Sequence, residues 1–337
     1  MAVNSDPETP ASGQSRQGTS RFRSAVGRLA ALGTMICGAA TVGACGARIA
    51  WPLELLSHFR VQYAVALLLL SGVLTLARRR RVAAIAFAMF GLNGWFVAPY
   101  LPIPGAAPRM AASPDQPVLK LVSINVFSGN PTPERVVEFL REEDPDVIVV
   151  LELTHDWKQR LEVLTPTHPH QAVQSSAGNF GIGLYSRYPL EGVRFLPLTG
   201  SDAVTAMIVF EDATVRVLGA HPVPPQGRYT ALRNRQLTQL AEYASRGDGM
   251  AVLAGDLNIT PFSPYFDDLL ADSGLQDPRR GRGVLTTWPS QSWLLRIPID
   301  HCLVSEEIAA TLRTGPDVGS DHLPLIAELR LRGSREE

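Results

Sequence analysis

The sequence Gly319-Ser320-Asp321-His322-Leu323-Pro324-Leu325-Ile326 places an acid–imidazole pair directly before an apolar run near the end of the chain. A second pair, Asp300-His301, precedes the apolar residues 302–304 in the same way. The pattern therefore predicts that strands begin just after each pair. An acid and an imidazole at such a point can bind a metal, move a proton and meet a phosphate, although turn residues that cap a strand fit the same pattern.

A second group of polar residues follows apolar, strand-like runs instead of preceding them. These residues are Asn125, Glu152, His221 and Asp256. Asn258 lies two positions beyond Asp256, on the same side of an extended chain. The polar residues that follow strands and those that precede strands can lie at one edge of the fold only if some strands run opposite to others. The sequence therefore predicts mixed sheets.

Two helices complete the predicted core of the fold. Thr132 and Pro133 suit the first positions of a helix that Pro145 stops, and residues 229–245 have helical apolar spacing. Because these two helices accompany about nine strand-like segments, two packed sheets flanked by helices is the economical architecture.

The order of these short motifs resembles that of the endonuclease/exonuclease/phosphatase superfamily, the metal-dependent phosphoesterases that include deoxyribonuclease I, abasic-site nucleases and neutral sphingomyelinases. The resemblance covers residues 122–329 and rests on six motifs in order: S-I-N-V, V-L-E-L, G-A-H-P, G-D-L-N, I-D-H and G-S-D-H-L-P. It implies a four-layer α/β sandwich of two packed mixed β-sheets flanked by helices.

The resemblance also implies a role for each candidate site residue. Glu152, with Asn125 and Asp321, would hold a divalent cation, Mg²⁺ or Mn²⁺, because the donors are oxygens and there is no cysteine cluster. The catalytic set would be His221, Asp256, Asn258, Asp300 and His322. In that set Asp256 and Asn258 would position or deprotonate the attacking water, Asp300 would orient His322, and His221 would contact the phosphate or assist the leaving group. Asp256 and His322 both remain candidates for the general base.

Several other residues near these motifs are interpreted as structural. Asn179 and Gly181 suit strand and turn positions, and Trp288 suits core packing as well as substrate contact. Four further histidines are expected at the surface or in packing: His155, His168, His170 and His301.

Three long uncharged stretches precede this region, at residues 29–47, 61–77 and 82–101. Each approaches the roughly 20 residues that span a bilayer, so three transmembrane helices are predicted. For the first stretch, a buried core helix or a signal peptide is the alternative. The resulting organisation is a disordered cytoplasmic tail (1–24), a three-helix membrane anchor (25–101), a Pro-rich tether (102–117), the catalytic domain (118–332) and a short tail (333–337).

Basic residues flank these stretches asymmetrically. The run Arg78-Arg79-Arg80-Arg81 lies between the second and third stretches, and four further arginines precede the first. The positive-inside rule places the N-terminus and this run in the cytoplasm. Three crossings then place the catalytic domain outside the cell membrane.

Composition narrows the function further. A net charge of −1 and 45% apolar residues do not favour a polyanion-binding protein, and no disulfide framework exists, since only Cys302 lies in the predicted catalytic domain. We therefore expect a membrane-anchored, metal-dependent phosphohydrolase that cleaves a phosphodiester, with a lipid head group or nucleic acid as substrate. An extracytoplasmic nuclease is the alternative within the same class, and a catalytically silent phosphate-binding module is the alternative from another class. The sequence identifies no protein partner.

Overall fold

The structure is a computed structural model, and it describes residues 12–102, 116–247 and 249–331. Within these ranges the helices are α1 (Ser12–Cys45), α2 (Trp51–Ser57), α3 (Arg60–Leu76), α4 (Arg80–Val97), α5 (Pro133–Glu143), α6 (His155–Leu161), α7 (Tyr229–Ser245) and α8 (Pro264–Ser273). The strands are β1 (Val118–Asn125), β2 (Val147–Leu151), β3 (His170–Gln174), β4 (Ile182–Ser186), β5 (Leu190–Leu198), β6 (Ser201–Phe210), β7 (Ala213–Gly219), β8 (Met250–Asp256), β9 (Asp300–Val304), β10 (Ile308–Thr314) and β11 (Leu325–Leu331).

The chain divides into two compact units. The first contains α1, α3 and α4, and the second contains Gly46–Phe59 together with the described residues from Val97 onward. In the first unit, Leu67 and Leu74 of α3 pack with Ala83 and Ala86 of α4. The segment Gly46–Phe59, which carries α2, thus folds with the strands although it lies between two apolar helices in sequence.

In the part of the chain that the structure describes, two helices are long and apolar enough to cross a membrane, Arg21–Cys45 and Arg80–Tyr100. The pair Trp51–Ser57 and Arg60–Leu76 would count as a third span only if taken together, and it is bent by 64°. The structure therefore gives two or three candidate spans where the sequence predicts three. The difference lies in the second predicted stretch, residues 61–77, because α3 alone is 17 residues long.

The N-terminal segment differs from its prediction. Residues 1–24 are expected to be disordered, whereas α1 begins at Ser12. No proline interrupts residues 12–45, and extending an existing helix costs far less than nucleating a new one. Three predicted regions lie outside the described residues: 1–11 of the tail, 103–115 of the tether and the terminal segment 333–337.

Two mixed sheets form the second unit, as the polarity of the strand-end residues predicts. One sheet has six strands in the order β10-β11-β1-β2-β4-β3, and the other has five in the order β5-β6-β7-β8-β9. The pairs β1–β2 and β7–β8 are parallel, and the other neighbouring pairs are antiparallel. The predicted mixed, two-sheet α/β fold is confirmed.

Strand β2 shows how the layers are filled. Val147, Val149 and Leu151 enter the core between the two sheets, whereas Ile148 and Val150 face the core shared with α5 and α6. Such alternation follows from the two-residue period of a strand, and β2 is apolar throughout because both of its faces are covered. On the other side, α7 and α8 cover the five-stranded sheet, so the layers run helix, sheet, sheet, helix.

The strands that the sequence pattern misses, β3, β5 and β10, are edge strands. An edge strand is partly solvated and needs neither a full apolar run nor strict alternation. Strand β5 even contains Gly192 and Pro197, residues that normally argue against a strand and that only an edge tolerates. The missed helices α6 and α8 are short, with 7 and 10 residues.

Candidate active site

A cavity of about 520 Å³ opens where β2 and β8 end, close to the starts of β9 and β11. Six of the predicted site residues line it: Glu152, His221, Asp256, Asn258, Asp321 and His322. The two remaining residues contact this lining. Asn125 Nδ2 donates to Glu152 Oε1 at 3.2 Å, and Asp300 Oδ2 lies 2.8 Å from His322 Nδ1. The structure therefore brings all eight residues together.

Glu152 is held by two donors at the end of β2. Asn125 Nδ2 reaches one carboxylate oxygen, and the backbone N–H of Ser128 donates to the other at 2.9 Å. Asn125 Oδ1 already accepts the backbone N–H of Phe127 at 3.0 Å, so the amide nitrogen of Asn125 faces the carboxylate. In this geometry Asn125 donates a hydrogen bond that orients Glu152. The family resemblance implies instead that Asn125 helps to hold the cation.

His322 is fixed through its Nδ1 atom. Asp300 Oδ2 lies 2.8 Å from that nitrogen, and both side chains are almost fully buried. The loop before β11 is held in turn by Ser320, whose hydroxyl donates to the carbonyl of Asn125 at 2.7 Å and accepts the N–H of His322 at 3.1 Å. An imidazole held in this way presents its Nε2 atom in one direction.

Asp256 lies between two imidazoles. Its Oδ2 atom is 3.4 Å from His221 Nε2 and 3.6 Å from His322 Nε2. His221 Nδ1 donates to the backbone carbonyl of Asn179 at 3.2 Å, which turns Nε2 toward the carboxylate. The carboxylate and the two Nε2 atoms therefore converge on one point of the cavity.

Gly255 allows β7 and β8 to end close enough for this convergence. A Cβ atom at this position would lie 2.0 Å from the carbonyl oxygen of Ala220, and the φ of 150° is one that other residues rarely adopt. The N–H of Ala220 donates to Ala254 at 3.1 Å across the same point. The residues that follow, His221 and Asp256, are thereby brought face to face.

Asn258 occupies a left-handed turn directly after β8, with φ of 50°. Its backbone N–H donates to Asp256 Oδ1 at 2.9 Å, and its Nδ2 atom donates to the carbonyl of Pro222 at 2.9 Å. Its own carbonyl accepts Arg233 Nη1 at 2.7 Å. Asn258 thus ties the loop after β7 to the end of β8 and fixes one oxygen of Asp256.

The donor chemistry of the cavity suits a divalent cation held through few protein ligands. Asp321 Oδ2 accepts Trp288 Nε1 at 3.1 Å, but its Oδ1 is buried without a hydrogen-bond partner. Glu152 lines the same cavity. Among the described residues no set of three His, Cys, Asp or Glu side chains has the geometry to hold a metal. Mg²⁺ commonly takes only one or two carboxylates, with water and substrate phosphate oxygens completing the shell, so Glu152 and Asp321 fit it.

The pKa shifts describe a cavity of interacting charges. Burial raises the pKa of Asp321 and outweighs the lowering effects of His322 and of the Trp288 N–H, and the Glu152 and Asp256 carboxylates add a smaller upward effect. Burial alone would lower the pKa of His221, but Asp256 outweighs it and the pKa is raised. Burial alone would raise the pKa of Asp256, but the neighbouring His322 and His221 outweigh burial and lower it.

His322 shows the largest shift in the cavity. Burial opposes its protonation, but the Asp300 and Asp256 carboxylates outweigh burial and raise the pKa of His322 to about 10. Below that pH the imidazolium is stabilised between two carboxylates. The imidazolium of His322 therefore places a positive charge beside Asp256.

The four histidines expected at the surface or in packing, His155, His168, His170 and His301, are not among the residues that line the cavity. His301 is buried, with Nε2 donating to the carbonyl of Ile259 at 2.7 Å and Nδ1 accepting Arg279 Nη2 at 2.6 Å. His168 Nε2 donates to the carbonyl of Pro145 at 2.9 Å. Trp288 has a role beyond packing, because its indole N–H is the donor to Asp321.

The segment that precedes α3 contributes to the cavity although it carries none of the sequence motifs. Leu55, His58 and Phe59 line the cavity together with the predicted residues. One signal for this segment is present in the sequence: Glu54 is a single acid between two long apolar stretches. A carboxylate in such a position needs a partner, and the structure supplies Arg233.

The family profile described as "Endonuclease/Exonuclease/phosphatase family" matches residues 122–322, more than half of the chain. The chain belongs to this family, whose members generally hydrolyse phosphoester bonds. No curated protein sequence matches the chain significantly.

Solved structures show the same fold at low sequence identity. An endonuclease/exonuclease/phosphatase from Bacteroides vulgatus has a TM-score of 0.55 and 16% identity, covering 64% of this chain and 100% of its own. TDP2 from D. rerio, solved with a single-strand DNA product, has a TM-score of 0.53 and 16% identity, covering 63% of this chain and 98% of its own. A family protein from Beutenbergia cavernae has a TM-score of 0.50 and 20% identity, covering 64% of this chain and 72% of its own.

Proposed function

We propose that this protein is a membrane-anchored, divalent-metal-dependent phosphodiesterase. The observation that carries the proposal is the carboxylate of Asp256, which faces the Nε2 atoms of both His221 and His322 in the cavity where Asp321 keeps an unpartnered buried oxygen. Hydrolysis of a phosphodiester needs a cation to neutralise phosphate charge, a carboxylate to aim a water and an acid for the departing oxygen. The cavity offers groups for all three.

Each of the catalytic residues acts on the phosphodiester through a particular side-chain atom. Asp256 orients the attacking water through the oxygen that faces the two imidazoles, while Asn258 N–H holds its other oxygen. His322, held at Nδ1 by Asp300, presents Nε2 to the phosphate. His221, held at Nδ1 by the carbonyl of Asn179, presents Nε2 from the loop after β7 and assists the leaving oxygen.

Glu152 and Asp321 would hold the cation, Mg²⁺ or Mn²⁺. When bound, this ion neutralises phosphate charge and acts as a Lewis acid. Asn125 contributes by fixing the rotamer of Glu152 through its amide nitrogen. Burial, with a smaller effect of the Glu152 and Asp256 carboxylates, raises the pKa of Asp321, and a cation bound there would favour its ionised form.

The cavity lining favours a small or apolar phosphodiester over a nucleic acid. No lysine or arginine is among the described residues that line it, whereas proteins that bind nucleic acid use such residues on the phosphate backbone. The nuclease alternative is supported by the DNA product bound to the similar TDP2 fold. A silent binding module is less well supported, because every candidate acid and imidazole is present and in contact.

An activity assay on the full chain tests the proposal. The protein in detergent micelles is expected to hydrolyse bis(p-nitrophenyl) phosphate with Mg²⁺ or Mn²⁺ and to lose at least about 100-fold of this rate in EDTA. With metal present, Asp256→Asn should remove most of the turnover. Asp272→Asn on α8, away from the cavity lining, should leave the turnover unchanged. Phospholipids and single-stranded DNA as parallel substrates separate a lipid phosphodiesterase from a nuclease. Metal-dependent binding of phosphate without turnover of any substrate would instead support the silent module.

The location of the catalytic unit is also part of the proposal. The candidate spans and the Arg78-Arg79-Arg80-Arg81 run support an anchor whose basic loop is cytoplasmic and whose C-terminal unit lies outside the membrane. An alkaline phosphatase reporter fused after Pro102 is expected to be active, since it works only outside the cytoplasm. The same reporter fused after Arg81 is the matched control and should be inactive. Reversed activities at the two junctions would overturn the orientation.

A further inference from the structure

The segment Gly46–Phe59 is anchored in the second compact unit by a buried ion pair. Glu54 of α2 bonds Arg233 of α7, and both side chains are fully buried. Ser263 Oγ donates to Glu54 Oε1 at 2.9 Å. Removing one member of a buried pair leaves an uncompensated charge, so this pairing holds α2 in one place.

Arg233 of this ion pair also contacts the loop that follows β8. Arg233 Nη1 donates to the carbonyl of Asn258 at 2.7 Å, and Asn258 in turn holds Asp256. A second link is made by His58, whose Nδ1 lies 3.0 Å from Thr260 Oγ1. Two contacts near the end of β8 therefore set the position of the segment relative to the catalytic residues.

This placement adds apolar side chains to the cavity wall. Leu55 and Phe59 of the segment line it, along with Phe180, Ile297 and Ile299. The carboxylates and imidazoles described above line the same cavity. A volume of about 520 Å³ lies within the range of about 300–1,000 Å³ typical of pockets for organic ligands, and a phosphate group with its cation would occupy only part of it.

We propose that Leu55 and Phe59 form a subsite for the apolar substituent of the phosphodiester, so that the segment between the first two long helices determines substrate specificity. The inference rests on the proposed function, since it places the phosphate beside Asp256 and His322. An apolar alcohol on the phosphate would bury its surface against this wall and gain binding free energy in proportion to its length. The absence of lysine and arginine from the described lining favours such a substituent over a second phosphate.

Binding of two simple diesters to the full chain in detergent micelles tests the subsite. With Mg²⁺ present, dibutyl phosphate is expected to bind roughly 10- to 100-fold more tightly than dimethyl phosphate by calorimetry, at about fourfold for each buried methylene. Phe59→Ser and Leu55→Ser should each move this ratio toward one. Val193→Ser is the matched control, because Val193 is 40% exposed on β5 and does not line the cavity, and it should keep the wild-type ratio.

Kinetics with methyl and butyl p-nitrophenyl phosphate separate this inference from the proposed function. Faster turnover of the butyl ester, with the preference lost in Phe59→Ser, supports both. A binding preference without turnover of either ester supports the subsite and overturns the catalytic function. Equal binding of the two dialkyl phosphates by the wild-type chain overturns the subsite, whatever the turnover.

Discussion

Glu152→Gln is expected to lower kcat/KM for a phosphodiester by about 10³-fold, which corresponds to about 4 kcal/mol of lost transition-state stabilisation. Glu152 lines the cavity, and both of its oxygens already have a donor, Asn125 Nδ2 and the N–H of Ser128. The substitution keeps the size of the side chain but removes its negative charge. It also turns an amide N–H toward one of those donors, so the carboxamide cannot satisfy both. We therefore expect weaker binding of Mg²⁺ together with the loss of rate.

Calorimetric titration with Mg²⁺ and Mn²⁺ measures the weaker metal binding of Glu152→Gln independently of turnover. Glu142→Gln is the matched control, because it removes one carboxylate from an exposed position of α5 and should change neither affinity nor rate. Circular dichroism of both variants checks that the fold is retained. If Glu152→Gln bound Mg²⁺ with wild-type affinity, Glu152 could not be a cation ligand.

The central strands and their polar ends follow from sequence because both signals are strong there. Strands such as β2 are apolar throughout, since both faces are covered, and a charged residue such as Glu152 at the end of such a strand stands out. Edge strands give no comparable signal: β5 alternates poorly and contains Pro197. The mixed direction of the sheets follows from whether each polar residue precedes or follows its strand.

The segment Gly46–Phe59 could not be assigned from sequence for a different reason. Its apolar residues resemble those of the neighbouring candidate spans, and α2 is only seven residues long. Its true partners, Arg233 and Ser263, lie about 200 positions away, at separations of 179 and 209 residues. Pairing across such distances is a property of the folded chain, although the lone acid Glu54 indicates that some partner must exist.

His322→Gln is expected to lower kcat by about 10³-fold, within the range for loss of a positioned acid–base group. Asp300→Asn should lower it by roughly 10²-fold, because Asp300 acts only through His322, which it contacts at 2.8 Å. The double variant should be no slower than His322→Gln alone. This lack of additivity is the signature of two residues that act as a unit, and it is measured by a double-mutant cycle on kcat.

The pH profile distinguishes a positioning role for Asp300 from a purely structural one. Burial lowers the pKa of His322, but Asp300 and Asp256 raise it to about 10, above the unfolded value of roughly 6.5. The pair therefore stabilises the fold fully below about pH 6.5, and this contribution is lost as pH rises toward 10. In Asp300→Asn one of the two carboxylates is neutral, so the pKa of His322 falls and the alkaline limb of the rate profile should move to lower pH. An alkaline limb at the wild-type pH, with additive losses in the cycle, would show that Asp300 does not act through His322.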